Sequence, residues 1–183
     1  RKAESEMLIR QITNGNNTAL ISTRRMGKTG LIRHCFQSKE IQKTYYTFFI
    51  DIYATKSLRE FVFALSKEII ESLKSSGKTM KSLQASLTFD FNGNPSFNLG
   101  LGDIQSPDAT LDEIFHYLEQ ANKPCIVAID EFQQITNYAE DYVEAILRTY
   151  VQHCNNAHFI FAGSQRHIMG NIFLTASRPF YQS

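Results

Sequence analysis

The sequence predicts an α/β fold, a mostly parallel sheet layered between helices, and three observations carry that expectation. Short runs of β-branched, aliphatic and aromatic residues alternate with longer segments whose apolar residues recur at helical spacing. Several of the short runs are apolar almost without a break, as strands covered on both faces are. At 183 residues, with 43% hydrophobic residues, 14 Phe and 8 Tyr, the chain can bury one sizeable core.

Taken in order, a helix is expected from Arg1 to Ile12, with Met7, Leu8 and Ile12 on its apolar face and Asn14-Gly15-Asn16-Asn17 ending it. Strand one runs from Thr18 to Ser22 and leads through a loop to a helix from about Lys28 to Gln37. Strand two is the run Tyr45 to Ile52. Ser57-Leu58-Arg59-Glu60 is a capping box, and Leu58, Phe61, Val62, Leu65, Ile69 and Leu73 follow at core-helix spacing. From Ser76 the composition turns to Ser, Lys and Gly. Two alternating segments around Asn92-Gly93 then predict a β-hairpin, part of an insertion over about 76–106. Leu111, Ile114, Phe115 and Leu118 mark a helix stopped by Asn122 and Pro124. The third strand is Cys125 to Asp130, and Val143, Ile146, Leu147, Tyr150, Val151 and Cys154 line a further helix. Strand four is His158 to Gly163, with Ser164-Gln165-Arg166 at its end.

The chemistry is carried by the stretch Ser22-Thr23-Arg24-Arg25-Met26-Gly27-Lys28-Thr29-Gly30. It follows an apolar strand and opens a helix, and it fits the phosphate-binding pattern G-x-x-x-x-G-K-[ST] with Ser22 in place of the first glycine. Backbone amides of such a loop wrap the β-phosphate, Lys28 would reach the β/γ oxygens, and the Thr29 hydroxyl would ligate Mg²⁺. Arg24 and Arg25 either touch phosphate or stay exposed. The run Ile126-Val127-Ala128-Ile129 followed by Asp130-Glu131 supplies the second half of the inventory. Asp130 would hold Mg²⁺ and Glu131 would orient and deprotonate the attacking water. In a parallel sheet ligands bind beyond the carboxyl ends of the strands, where the loop, Asp130-Glu131 and Ser164 all fall. Ser164 is a candidate sensor of the γ-phosphate or the attacking water, with a helix N-cap as its other reading. Arg166 and Arg178 are either surface residues or charges presented to a neighbouring subunit's site.

Other classes find less support. With 19 basic and 18 acidic residues there is no whole-chain field for nucleic acid or anionic membrane. No apolar run approaches the roughly 20 residues of a membrane span and no signal peptide opens the chain, so the expectation is cytoplasmic, with no membrane partner. Cys35, Cys125 and Cys154 read as reduced core thiols. His153, Cys154 and His158 lack a fourth ligand near in sequence. His34, His116 and His167 are scattered, and nothing resembles a hydrolase triad. Phe89, Phe91 and Phe97 on the expected hairpin lack the interleaved Lys or Arg of a nucleic-acid surface.

Arg1 with Glu4 and Leu8, the Ser-x-Arg-Arg-x-Gly-Lys-Thr loop, Ile129-Asp130-Glu131-Phe132, Phe161-Ala162-Gly163-Ser164 and Pro179-Phe180-Tyr181 together resemble the archaeal-type ATPase family. That family belongs to the AAA+ and STAND branch of P-loop NTPases. The resemblance covers nearly the whole chain. It implies a three-layer P-loop NTPase sheet ordered 5-1-4-3-2, with strand 5 expected to be missing here. It also implies ATP and Mg²⁺ as ligands and a nucleotide-driven switch or assembly as the use of hydrolysis. Self-association through the ATPase domain and a protein or DNA partner for a C-terminal region are further implications. Gln182 and Ser183 stand where the family continues with Gly-Arg, and Arg1 lacks the usual preceding Gly. The expectation is therefore a P-loop ATPase core over residues 1–183, a fragment without the family's lid and winged-helix domain. Two rivals remain open: a nucleotide switch with little or no turnover, and a small-molecule kinase.

Overall fold

In the computed structural model, residues 2–75 and 106–181 are described. Four parallel strands, β1 (Thr18–Ile21), β2 (Tyr46–Asp51), β3 (Cys125–Asp130) and β4 (Ala157–Gly163), form one sheet in the order β1-β4-β3-β2. This is the expected 1-4-3-2 order. Helices α1 (Lys2–Thr13), α2 (Lys28–Phe36) and α3 (Lys39–Thr44) precede β2, and α4 (Leu58–Ser75) follows it. Then come α5 (Pro107–Gln120), a 3₁₀ turn over Phe132–Asn137, α6 (Val143–His153) and α7 (Arg166–Leu174). The expected hairpin and most of the insertion lie outside the described residues, as do Arg1, Gln182 and Ser183.

Successive strand residues point to opposite faces, so β3, buried along its whole length, feeds a separate apolar layer on each side of the sheet. Ile126 and Ala128 join Ile160 and Ala162 beneath Leu8, Ile12, Ile32, Cys35 and Ile41, which makes one apolar layer with the first three helices. Val127 and Ile129 face the other way, with Phe48, Ile50, Phe159 and Phe161, into the larger core shared with the remaining helices. Each fully buried aliphatic or aromatic side chain contributes about 1.5–3 kcal/mol, so both faces resist exposure. Within the larger core, Phe132, Phe161, Phe173 and Phe180 form a ring cluster, with Phe180 edge-on to Phe132. The cluster ties the tail to the turn that follows β3.

Local chemistry sets the boundaries. Ser57 Oγ accepts from the Glu60 amide at 3.3 Å, while the Glu60 carboxylate takes the Lys56 amide at 2.7 Å, a capping box displaced by one residue from the ideal. Ser106 caps α5, with Pro107 in its first turn. Two helices are additions to the sequence reading. The six-residue α3, capped by Ser38 Oγ on the Ile41 amide, is too short for a periodic signal. Helix α7 buries Met169, Ile172 and Phe173 against the sheet. All three cysteines are free and buried, and burial pushes the Cys125 and Cys154 thiols up to about 12. Among the described residues no helix is long and apolar enough to cross a membrane.

His158, half-buried in β4 with its ring against Gly15, has its imidazole pushed below the ordinary value by desolvation. The unfolded chain, titrating near about 6.5, therefore takes the proton first. The contribution of the neutral ring to stability is full above that pH and is lost as pH falls toward the folded value. Urea midpoints at pH 7.5 and 5.5 should differ less in His158→Gln than in the parent; an equal difference in both would refute this assignment.

Candidate functional site

The loop between β1 and α2 is shaped by two residues in left-handed backbone, Arg25 at φ 63° and Gly27 at φ 75°. A side chain at Gly27 would carry a conformational cost of about 1 kcal/mol, so glycine is the residue that turns cheaply into the helix here. Helix α2 begins with Gly27 as N-cap and no side-chain cap, which leaves the first-turn amides available to an anion. Lys28 Nζ lies inside the curve of the loop, donating to the carbonyl oxygens of Ser22 at 3.0 Å and Thr23 at 3.4 Å. Ser22, at the position of the first glycine in the phosphate-loop pattern, is itself tied to β4 by its amide on the Gly163 carbonyl.

Parallel register brings the second segment to the same rim. Thr29 Oγ1 donates to Asp130 Oδ2 at 2.5 Å across 101 positions of sequence. The other carboxylate oxygen of Asp130 accepts the Glu131 amide at 3.0 Å, so a side chain only 4% exposed is oriented through both oxygens. Glu131 adopts left-handed backbone, φ 57° and ψ 37°, as the chain leaves β3 for the 3₁₀ turn. A non-glycine residue there carries a cost on the order of 1–2 kcal/mol, which the burial of Phe132 and Ile135 on the same turn offsets. Ser164, beyond β4, donates to Glu131 Oε2 at 2.7 Å. It does not cap α7, whose N-cap is Gln165.

The structure thus brings together Lys28, Thr29, Asp130 and Glu131 in one cleft of about 400 Å³, with Gly27, Arg24 and Arg25 on its wall. Ser164 reaches it through Glu131. Arg24 sits over the Tyr53 ring at 5.6 Å, a cation–π contact. Arg178 instead pairs with Glu144 of its own chain, where burial pushes the glutamate up and the guanidinium pulls it back. Arg166 is exposed on α7. Beside the phosphate loop, and sharing Gly27 and Lys28 with the first cleft, lies a second hollow of about 320 Å³. It is walled by Leu8, Leu31 and the exposed Met7 and Met26. Among the described residues no group of three His, Cys, Asp or Glu side chains could hold a metal alone.

Three residues of the site were not singled out by sequence. Asp51 and Tyr53 line the cleft because β2 pairs with β3 and sets Asp51 beside Asp130. An acidic residue at the close of a buried strand was the available signal. Gln133, whose amide touches Glu131 and Ser164, carried none, since a polar residue after a strand is ordinarily solvated.

Comparison with known proteins accords with this geometry. Residues 13–173 match the family of ATPase domains found predominantly in Archaea, and the chain belongs to that family. It is an ATPase domain with a Walker-type nucleotide fold. A Walker-type ATPase of Pyrococcus abyssi is similar at 22% identity and a TM-score of 0.63, over 99% of this chain and 50% of that one. Cdc6p of Pyrobaculum aerophilum matches at 16% identity and a TM-score of 0.62, over 98% of this chain and 42% of that one. The ORC1 protein of Aeropyrum pernix, solved in complex with DNA, matches at 11% and 0.59, over 98% and 42% respectively. The chain spans half or less of the length of each. No curated protein sequence matches it.

One glycine tests how tightly this rim is packed. A Cβ on Gly163 would collide with Met169 Sδ and stand 2.6 Å from Gln133 Oε1. Gly163→Ala should lower unfolding free energy by about 1–3 kcal/mol, measured by urea titration; an unchanged midpoint would show that both side chains move aside freely.

Proposed function

We propose that this domain binds ATP with Mg²⁺ and hydrolyses its γ-phosphate, and that the Thr29–Asp130 contact is the observation that carries the reading. A hydroxyl and a carboxylate oxygen 2.5 Å apart, beside a lysine and uncapped helix amides, form a hard oxygen donor set next to an anion cradle. That donor set fits Mg²⁺, with Thr29 and Asp130 as its protein ligands. When bound, the cation would supply positive charge to neutralise what develops on the phosphates in transfer.

The chain's own residues have the remaining parts. The loop Ser22 to Gly30 wraps the phosphates with backbone amides, and Lys28 exchanges the Ser22 and Thr23 carbonyls for β- and γ-oxygens. Arg24 and Arg25, on the cleft wall, add positive charge beside the same oxygens. Glu131 accepts a proton from the attacking water, and Ser164 holds the carboxylate that does so. The hollow under Met7 and Met26 takes the base, because an aromatic ring gains from an apolar wall while its sugar and phosphates lead into the loop.

The domain's use follows by likeness to longer proteins. We infer a nucleotide-driven switch or assembly of the AAA+/STAND kind, in which ATPase domains associate and a region outside this chain engages a protein or DNA. The ORC1 likeness supports the DNA alternative. Sedimentation of a Glu131→Gln variant should show association with Mg²⁺-ATP and not with ADP; a monomer in both would remove the assembly reading.

Mg²⁺-ATP should raise the melting temperature of the parent. Lys28→Ala should abolish that shift, and Glu131→Gln should keep it while turnover falls by about 10²-fold or more. Phosphate release and thermal melts measure the two quantities; normal ATP binding by Lys28→Ala would overturn the site.

A further inference from the structure

We infer that Gln133 is a positioning residue that fixes the orientation of the Glu131 carboxylate, an inference that rests on the ATPase reading above. Gln133 is 2% exposed, on a turn whose other buried members, Phe132 and Ile135, are apolar. Its Nε2 donates to Glu131 Oε2 at 2.5 Å and stands 3.5 Å from Ser164 Oγ, while Ser164 Oγ donates to the same Glu131 oxygen at 2.7 Å. With Glu131 ionised, as a base that takes a proton from water must be, the protons of this triangle have one placement. A carboxylate accepts and never donates, so the amide must present its nitrogen, and the serine must spend its one proton on the glutamate.

A further observation separates this role from packing. The Gln133 amide oxygen is buried with no hydrogen-bond partner. An unmade buried acceptor costs stability, and Leu or Met would fill the space without it, so the amide is accounted for by the proton that it donates. Gly163 on the neighbouring strand leaves room for that amide as well as for Met169, which a side chain there would meet first. The bonds that hold the carboxylate all fall on Oε2. Two donors on one oxygen, with the left-handed backbone of Glu131 beneath, set the plane of the group and leave Oε1 to receive a proton. Gln133 thus acts through Glu131 and not on the nucleotide.

Gln133→Met tests this, because it keeps length and volume and removes the N–H. The Mg²⁺-ATP thermal shift should be that of the parent, and kcat should fall at least about tenfold. In a Glu131→Gln background the same substitution should change turnover no further, since the carboxylate it positions is gone. Equal loss in both backgrounds would mean a structural role, and an unchanged or raised kcat in the parent background would mean no positioning; either overturns the inference. Should the methionine variant fail to fold, Gln133→Asn, which withdraws the amide by one methylene, is read in the same cycle with the same expected and overturning results. If Lys28→Ala and Glu131→Gln themselves retain full turnover, the ATPase site falls. If they lose it while Gln133→Met does not, only the role of Gln133 falls.

Discussion

Every feature of the rim depends on the strands running parallel. In the order β1-β4-β3-β2 the register pairs Ile21 with Gly163, and Asp51 with Asp130. The carboxyl ends of all four strands therefore open on one edge, and the loops that leave them are forced into company. The short Thr29–Asp130 hydrogen bond is the most direct consequence, because it joins two segments that share no local sequence. An antiparallel pairing of any central strand would have sent one of these loops to the opposite edge.

What the register brings close, the packing behind it holds still. Phe132 is anchored among Phe161, Phe173 and Phe180, and it lies between Glu131 and Gln133 in the chain. The strained backbone of Glu131 is thus carried by apolar burial one residue away. This is the usual economy of a site built on a sheet: unfavourable local geometry persists where the surrounding core over-determines it. The same reasoning covers the orphaned Gln133 oxygen, a polar defect tolerated inside a well-packed layer.

The chain's relation to its structural neighbours bears on how the site is used. It matches half or less of each, at identities of 22% or lower, so the common ground is the nucleotide fold itself. Arg178, which pairs with Glu144 within the chain, is committed to the domain's own packing. Tyr53 and Arg24, stacked at the mouth of the cleft, and the exposed Met7 and Met26 at its neighbour are, with Arg25 and Thr29, among the parts of the rim open to solvent or a ligand.

Much of this was legible in the residues alone. The loop from Ser22 to Gly30 and the carboxylates Asp130 and Glu131 announce themselves because the phosphate-loop pattern constrains neighbouring residues, and a strand buried on both faces must be apolar throughout, whereas the sheet order came with the family resemblance and Ser164 kept two readings. Helix α3 was not legible, since its six residues make fewer than two turns, and α7 was hinted at only by the N-cap reading of Ser164, although Ile168, Met169, Ile172 and Phe173 lie at helical spacing. By itself the sequence determined the fold class, the loop and the pair of carboxylates, since these rest on local pattern. Only the tertiary structure decided that Asp51 stands beside Asp130, that Ser164 bonds Glu131 instead of capping a helix, and that Gln133 is buried against both. The physical reason is that these contacts join separate segments or reverse a local turn, and a hydrogen bond across 31 or 101 positions leaves no periodic trace in the residues between.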